Sequence, residues 1–170
     1  LVSIPNFMVP VFGLALFWSI GQLLLAVFPA YAKAHLGVES VAVVQSVMVI
    51  SALGIVIGAM LASKASSTVL QLRFALLGIA CIVLGTLAIT TFEALWILAL
   101  DYLFLGVAAG LVIVPLNSYL QSVFSVRCIG SVIATSNLMQ NIAMLIALCA
   151  TFTVAYFGLS TLTLMDGVAL

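Results

Sequence analysis

Three side-chain amides lie within five residues of one another in the last third of the chain. Asn137, Gln140 and Asn141 stand at i, i+3 and i+4, and Met144 follows at i+7. In an α-helix this spacing places the residues on one face. Uncharged amides can hydrogen-bond a phosphate, glycerol or sugar group and release it again, so the pattern favours the lining of a transport cavity. The alternative is that they bond across helices and hold neighbouring helices together.

A smaller stripe of the same kind is formed by Trp18 and Gln22, four residues apart, although Trp18 could equally belong to a packed core. Asn117 follows Pro115, which frees the carbonyl of Leu111 and either bends or ends a helix. Asn117 could bond the freed backbone. The predicted substrate cavity therefore comprises Trp18, Gln22, Asn117, Asn137, Gln140 and Asn141.

Asp101 is an acid well inside an apolar run, roughly two helical turns from the nearer end. Acids at such positions commonly carry protons or bind substrate. No Lys or Arg lies in the middle of an apolar run to neutralise it, so Asp101 is either protonated or reaches the membrane interface. Its direction is roughly 140° from that of Gly106 on the same helix. We assign Asp101 as a candidate proton or polar site that does not share a face with Gly106.

Other kinds of chemistry lack the residues they require. His35 is the only histidine, and Cys81, Cys128 and Cys149 form neither a disulfide framework nor a paired metal motif. We therefore predict no metal site and no cofactor. The formal net charge is zero, which argues against nucleic acid as a partner. No catalytic set can be assembled, so we predict that this chain is not an enzyme.

The elements that must position these residues are membrane helices. Only 8 of 170 residues are charged and 66% are hydrophobic, so a surface this apolar must face lipid. Five runs are long enough to cross a bilayer as helices: 9–30, 41–61, 72–91, 94–116 and 132–156. Residues 159–170, which include Asp166, are predicted to begin a sixth span. The predicted fold is an all-α, polytopic transmembrane helix bundle, and we expect the chain to be part of a longer protein.

Glycine and polar residues indicate how the predicted helices pack against one another. Gly54 with Gly58, and Gly106 with Gly110, form two GxxxG motifs that allow close helix approach, as plain packing or as a sliding surface for a gate. Thr86 and Cys81 are the few polar side chains of the third run, so we expect that helix to be peripheral. The other four helices should turn their polar groups toward one another or a wet cavity.

Basic residues fall mainly on one side of the predicted membrane. Lys64, Arg73 and Arg127 flank the second and fourth connections, whereas Lys33 lies in the first. The positive-inside rule places the side with more basic residues in the cytoplasm. The amino end of the chain is then predicted to be cytoplasmic too.

Several short motifs together resemble a known family. They are Phe17-Trp18, Tyr31-Ala32-Lys33 with Leu36-Gly37, Gly106-Val107-Ala108-Ala109-Gly110, Val114-Pro115-Leu116-Asn117 with Leu120-Gln121, and Asn137-Leu138 with Asn141 and Ala143-Met144-Leu145. Over about residues 11 to 157 the chain resembles the C-terminal half of a major facilitator superfamily transporter, with the closest resemblance to bacterial lysophospholipid transporters. It departs from the family pattern in two places. An acid at Asp101 is not part of the pattern, and Leu24 and Leu25 lie where the pattern has an arginine.

The resemblance implies helices seven to eleven of that fold and the start of a twelfth, with the N-terminal half lying outside this chain. It implies transport of a lysophospholipid or similar amphiphile across a bacterial inner membrane by alternating access. It further implies membrane lipid, the N-terminal half, and a phospholipid acyltransferase or acyl-carrier-protein synthetase as partners. Two alternatives remain open at this point: a drug or metabolite exporter of the same fold, and a non-transporting membrane module that serves a fused acyltransferase.

Overall fold

Five long helices make up the bundle. The computed structural model describes residues 4–64, 68–89, 91 and 94–157, and the predicted start of a sixth span lies outside them. The helices are α1 (Ile4–Leu36), α2 (Val41–Ser63), α3 (Thr68–Ile89), α4 (Leu95–Val123) and α5 (Ile129–Tyr156). Each is long and apolar enough to cross a membrane. An all-α architecture is confirmed, with helices that extend beyond most ends of the predicted runs.

The helices form because backbone polar groups have no water to bond in a bilayer and must bond within the helix. Their hydroxyl side chains follow the same rule. Ser19 donates to the Ala15 carbonyl, Ser46 to Ala42 and Thr151 to Ala147, each at 2.8–2.9 Å. These side chains are therefore satisfied by their own helices and need no polar neighbour. Serine and threonine side chains are therefore poor indicators of which helix faces pack against each other.

The end of α1 is set by Gly37, which has a φ of 65°. The Val38 amide donates to the Ala32 carbonyl at 3.1 Å, which ties the chain after Gly37 back to the last turns of α1. Only a residue without a Cβ takes this left-handed conformation at little cost. The chain then re-enters the bundle as α2 within four residues.

The helix α4 lies at the centre of the bundle and packs against α1, α2 and α3. Its closest neighbour is α2, where the two GxxxG motifs face each other. A Cβ placed on Gly54 would lie 2.9 Å from the Gly106 Cα, and a Cβ on Gly110 would lie 2.7 Å from the carbonyl carbon of Gly58. The two backbones are therefore in direct contact, and we call this contact the α2–α4 glycine seam.

The helix α3 packs against the opposite side of α4. A Cβ on Gly78 would lie 2.7 Å from the Ala108 carbonyl oxygen, so these two helices also approach closely. Among the described residues the extensive contacts of α3 are with α4 alone, as expected of a peripheral helix. Thr86 is nevertheless buried, with its hydroxyl bonded to the Ile82 and Val83 carbonyls of its own helix.

The helix α5 packs mainly along α1 and is the least buried of the five. In its most apolar 18-residue stretch only 11% of residues are buried, against 28% in α3 and 56% in α4. The prediction that α3 alone is peripheral is therefore incomplete, because α5 leaves a larger share of its surface uncovered. This uncovered surface carries two of the three amides that the sequence singles out.

Two apolar clusters join α1 to α4, one near each end. Near the end of α1, Phe28 packs against Tyr102 with ring centroids 4.6 Å apart and the rings tilted, and both belong to a cluster with Leu98. Near its start, Val11 and Leu14 pack against Leu120. The two helices therefore run in opposite directions and are fastened at both ends. Between the two clusters they separate.

Candidate functional site

A cavity of about 140 Å³ lies between α1 and α4, and it opens at the surface beside the exposed side chains of Trp18 and Leu25. We call it the α1–α4 cavity. Gly21, two turns before Phe28, lies on its wall, and a Cβ placed there would meet no atom within 4 Å. The helices α2 and α3 contribute to the sides. The residues that matter most for its chemistry are Phe17, Trp18, Gln22, Ser51, Tyr102 and Leu105.

Few polar groups reach this cavity, and in the described part of the chain none of its lining side chains carries a charge. Trp18 and Gln22, predicted as a stripe, both line it. Ser51 also lines it, but its hydroxyl already donates to the Met48 carbonyl at 2.8 Å. Most of the wall is aliphatic or aromatic. Such a cavity suits an uncharged or amphiphilic group and not a multiply charged one.

Tyr102 is the lining residue that the sequence prediction leaves out. Its side chain is only 3% exposed, and its hydroxyl is buried without a hydrogen-bond partner among the described residues. A buried tyrosine hydroxyl usually finds a partner, so this one is exceptional. The available signal was an aromatic hydroxyl beside an intramembrane acid, one helix position away from Asp101.

The three amides of α5 do not share one environment. Asn137 and Asn141 are exposed, and the Asn141 side chain donates to the Asn137 carbonyl at 2.8 Å. Gln140 is 6% exposed and donates to the Ser136 hydroxyl at 2.8 Å. The prediction that all three line one open face is thus corrected: the packing of α5 on α1 covers the Gln140 side. In the structure Gln140 supports the helix contact, and Asn137 and Asn141 remain available for other partners.

Asn117 is the sixth predicted cavity residue, and it is not among those that line the α1–α4 cavity. Its side-chain amide donates to the Ile113 carbonyl at 2.9 Å, and not to the carbonyl of Leu111. The helix α4 continues through Pro115 to Val123, so the proline does not end it. The bond from Asn117 therefore does not replace the helical hydrogen bond that Pro115 removes, which is the one to the Leu111 carbonyl.

Asp101 lies on the side of α4 that faces α3. A Cβ placed on Gly85 of α3 would lie 3.4 Å from the Asp101 Oδ1 atom, whereas Gly106 faces Ser51 and Gly54 of α2. The acid and the α2–α4 glycine seam therefore occupy different faces of α4. The Asp101 Oδ2 atom is buried and has no hydrogen-bond partner among the described residues. A carboxylate oxygen in that position is costly unless it binds a proton or a polar partner.

A second cavity of about 260 Å³ lies between α1 and α5. Among its described lining residues Ser19 is the one with a polar side chain, and its hydroxyl is already bonded to the Ala15 carbonyl. The remaining walls, including Phe12, Leu16 and Met139, are apolar. With no free polar group to orient a ligand, this cavity is a weaker candidate than the α1–α4 cavity.

Comparison with known proteins agrees with this architecture. The family model of the Major Facilitator Superfamily matches residues 1–148, which is most of the chain. The comparisons with curated proteins and with solved structures each gave no match. Five apolar helices around a mostly apolar cavity, without a charged lining residue in the described region, are consistent with a family of membrane carriers. The chain belongs to the major facilitator superfamily and is a multi-pass membrane transporter.

Proposed function

We propose that this transporter moves a lysophospholipid, or a similar single-chain amphiphile, across a bacterial inner membrane by alternating access. The observation that carries the proposal is the α1–α4 cavity, whose wall is apolar apart from the neutral side chains of Gln22 and Ser51. A single aliphatic chain with a small headgroup matches such a wall better than a multiply charged metabolite does. The exposed amides Asn137 and Asn141 offer neutral hydrogen bonds to a headgroup.

In this proposal the chain supplies the C-terminal half of the transporter, and an N-terminal half covers the exposed surface of α5. Alternating access then follows from rocking of the two halves about a site between them. Lys64, Arg73 and Arg127 are all exposed, which supports an orientation with these residues and the amino end in the cytoplasm. A phospholipid acyltransferase or acyl-carrier-protein synthetase, fused or separate, would consume a lysolipid delivered inward.

The test is flux in vesicles reconstituted with the full-length protein. Radiolabelled lysophosphatidylethanolamine should cross the membrane faster than in protein-free vesicles, and excess unlabelled lysolipid should compete. If the protein moves cationic drugs or sugars but not the lysolipid, it is an exporter of the same fold and the proposal is wrong. If no solute moves although lysolipid binds, the non-transporting membrane module is the better description.

The same proposal assigns Asp101 as the proton-binding site of the transporter. Next to it lie Gly85 of α3 and Tyr102, which follows it on α4. No basic side chain from the middle of a described helix is available to pair with it. A group in this setting can exchange a proton more readily than it can hold a fixed ion pair.

We expect Asp101→Asn to abolish lysolipid accumulation driven by an imposed proton gradient, while exchange of internal for external lysolipid continues. An amide has the shape of the acid but cannot release a proton. The matched control is Glu39→Gln, since Glu39 is exposed in the loop between α1 and α2 and lies outside the helices. Gradient-driven uptake that survives in Asp101→Asn would remove the proton-binding assignment and leave the lipid proposal standing.

A further inference from the structure

The Leu105 side chain lies between the α1–α4 cavity and the acid Asp101. Leu105 lines the cavity and is only 8% exposed. Its Cδ2 atom would lie 2.6 Å from a Cβ placed on Gly85, so the same side chain also fills the contact between α4 and α3. Asp101 precedes Leu105 by four residues, which places it one turn away on the same side of α4. The cavity and the acid therefore have one side chain as their common wall.

Asp101 itself is not among the described residues that line the cavity. Its Oδ1 atom would lie 3.4 Å from a Cβ on Gly85, and its Oδ2 atom is buried without a hydrogen-bond partner among the described residues. Because Gly85 has no side chain, the carboxyl and the end of Leu105 border the same small space against α3. A ligand in the cavity and a proton on Asp101 therefore bind at different positions and do not compete.

Few side chains on the helices packed around Asp101 are charged or titratable. In the described parts of α1, α3 and α4 they are Tyr31, Lys33, His35, Arg73, Cys81, Tyr102 and Tyr119. The helix α2 holds none between its first and last residues. Phenol, thiol, ammonium and guanidinium groups ordinarily keep one charge state from acidic to neutral pH, whereas imidazole does not. A pH effect in this range therefore has two candidate sources, Asp101 and the exposed His35 at the end of α1.

We propose that Leu105 couples occupancy of the α1–α4 cavity to protonation of Asp101. A ligand in the cavity presses Leu105 toward Gly85 and the carboxyl, and an apolar group against a carboxyl favours its uncharged, protonated form. By linkage, the protonated protein then binds the ligand more tightly. The inference rests on the proposed function for the lysolipid and for Asp101 as the proton site. It adds the physical connection between them, and it requires proton and lysolipid to cross the membrane in the same direction.

The experiment measures equilibrium binding of radiolabelled lysophosphatidylethanolamine to the purified full-length protein in detergent, from acidic to neutral pH. We expect the affinity to rise as the pH falls and then to level off, with a total change of roughly five- to twentyfold. Competition for one position would instead weaken binding about tenfold for each unit of falling pH, without a limit. Weaker binding at acidic pH, or binding that does not depend on pH, would overturn the inference.

Substitutions of Leu105 test the connection itself. Leu105→Ala should bind lysolipid more weakly, since one wall contact is lost, and its affinity should no longer depend on pH because the shortened side chain does not reach α3. Leu105→Met conserves the volume of the side chain and should retain the pH dependence. If Leu105→Ala does not fold, Leu105→Val, which is one carbon shorter than the native residue, should show a reduced dependence. A full pH dependence in the alanine or valine variant would overturn the role of Leu105.

The matched control is Leu98→Ala. Leu98 is fully buried in the same cluster and on the same helix, but it does not line the cavity. Its truncation should lower the midpoint of thermal unfolding and leave the pH dependence of binding as in the wild type. Loss of the pH dependence in Leu98→Ala as well would show that any loss of packing in this cluster has the same effect, and would overturn a specific role for Leu105.

Two further variants identify the group that binds the proton. Asp101→Asn should bind lysolipid with an affinity independent of pH, whereas His35→Gln should behave as the wild type. A pH effect that persists in Asp101→Asn and disappears in His35→Gln would overturn the inference. Failure of the proposed function looks different. Lysolipid that does not bind at any pH would remove it as the ligand and this inference with it, whereas lysolipid flux with pH-independent binding would overturn only the coupling.

Discussion

Gly106→Leu is expected to prevent the transporter from folding. A Cβ on Gly106 would overlap the carbonyl oxygen of Ser51 and lie 3.0 Å from the Gly54 Cα. These are backbone atoms of a packed helix, which cannot turn aside as a flexible side chain could. Overpacking of this kind costs about 3 kcal/mol or more, a large share of the total stability of a typical protein. The measurement is the yield of monodisperse protein and the midpoint of thermal unfolding in detergent.

The matched control is Gly130→Leu, at a position where an added Cβ meets no atom within 4 Å. It should give near-normal yield and midpoint, since leucine also favours the helix more than glycine does. Gly106→Ala should lie between the two, because one methyl group still requires α2 and α4 to move apart. A Gly106→Leu protein with normal stability would show that the α2–α4 glycine seam is not a fixed contact, as expected of a sliding surface.

The helices could be predicted from hydropathy, but their ends could not. Hydropathy predicts the first helix over 9–30, whereas α1 is Ile4–Leu36, because hydropathy marks the stretch that matches hydrocarbon while backbone hydrogen bonds continue into the interface. The end of α1 depends on the left-handed conformation of Gly37, a local feature that no hydropathy average contains.

The sequence around Pro115 does not decide whether the helix bends or ends there. Proline removes one helical hydrogen bond, and the rule permits either a bend or an end. The helix α4 continues to Val123, and as the most buried of the five it is held by its neighbours across the turn that lacks one hydrogen bond. The burial of a helix cannot be read from the proline alone.

The sequence predicts the candidate site only as far as directions within a single helix determine it. Helical spacing correctly separated Asp101 from the face of Gly106, because angles within one helix follow from residue number. The same spacing grouped Gln140 with Asn137 and Asn141, and the structure divides them because α1 covers one edge of that face. Which edge of a helix is covered depends on the neighbouring helix, and this is tertiary information.

The two exposed amides of α5, Asn137 and Asn141, are expected to be essential for transport. We expect the double substitution Asn137→Leu with Asn141→Leu to abolish lysolipid flux in reconstituted vesicles while expression and thermal stability stay near normal. Both side chains are exposed, and the Asn141 amide donates only to the backbone of its own helix among the described residues, so we expect the fold not to depend on them. A headgroup that loses two neutral hydrogen bonds inside a membrane has no water to replace them.

The control for this pair is Thr135→Leu with Thr153→Leu. These two threonines are also exposed on α5, and they point the same way because they are eighteen residues apart, which is five full turns. Their direction is about 160° from that of Asn137, so the control adds the same leucines to a different part of the exposed surface. Loss of flux in both double variants would mean that the α5 surface tolerates no added bulk. Loss in the asparagine pair alone is what binding of a headgroup by Asn137 and Asn141 requires, and normal flux in that pair would remove both residues from the pathway.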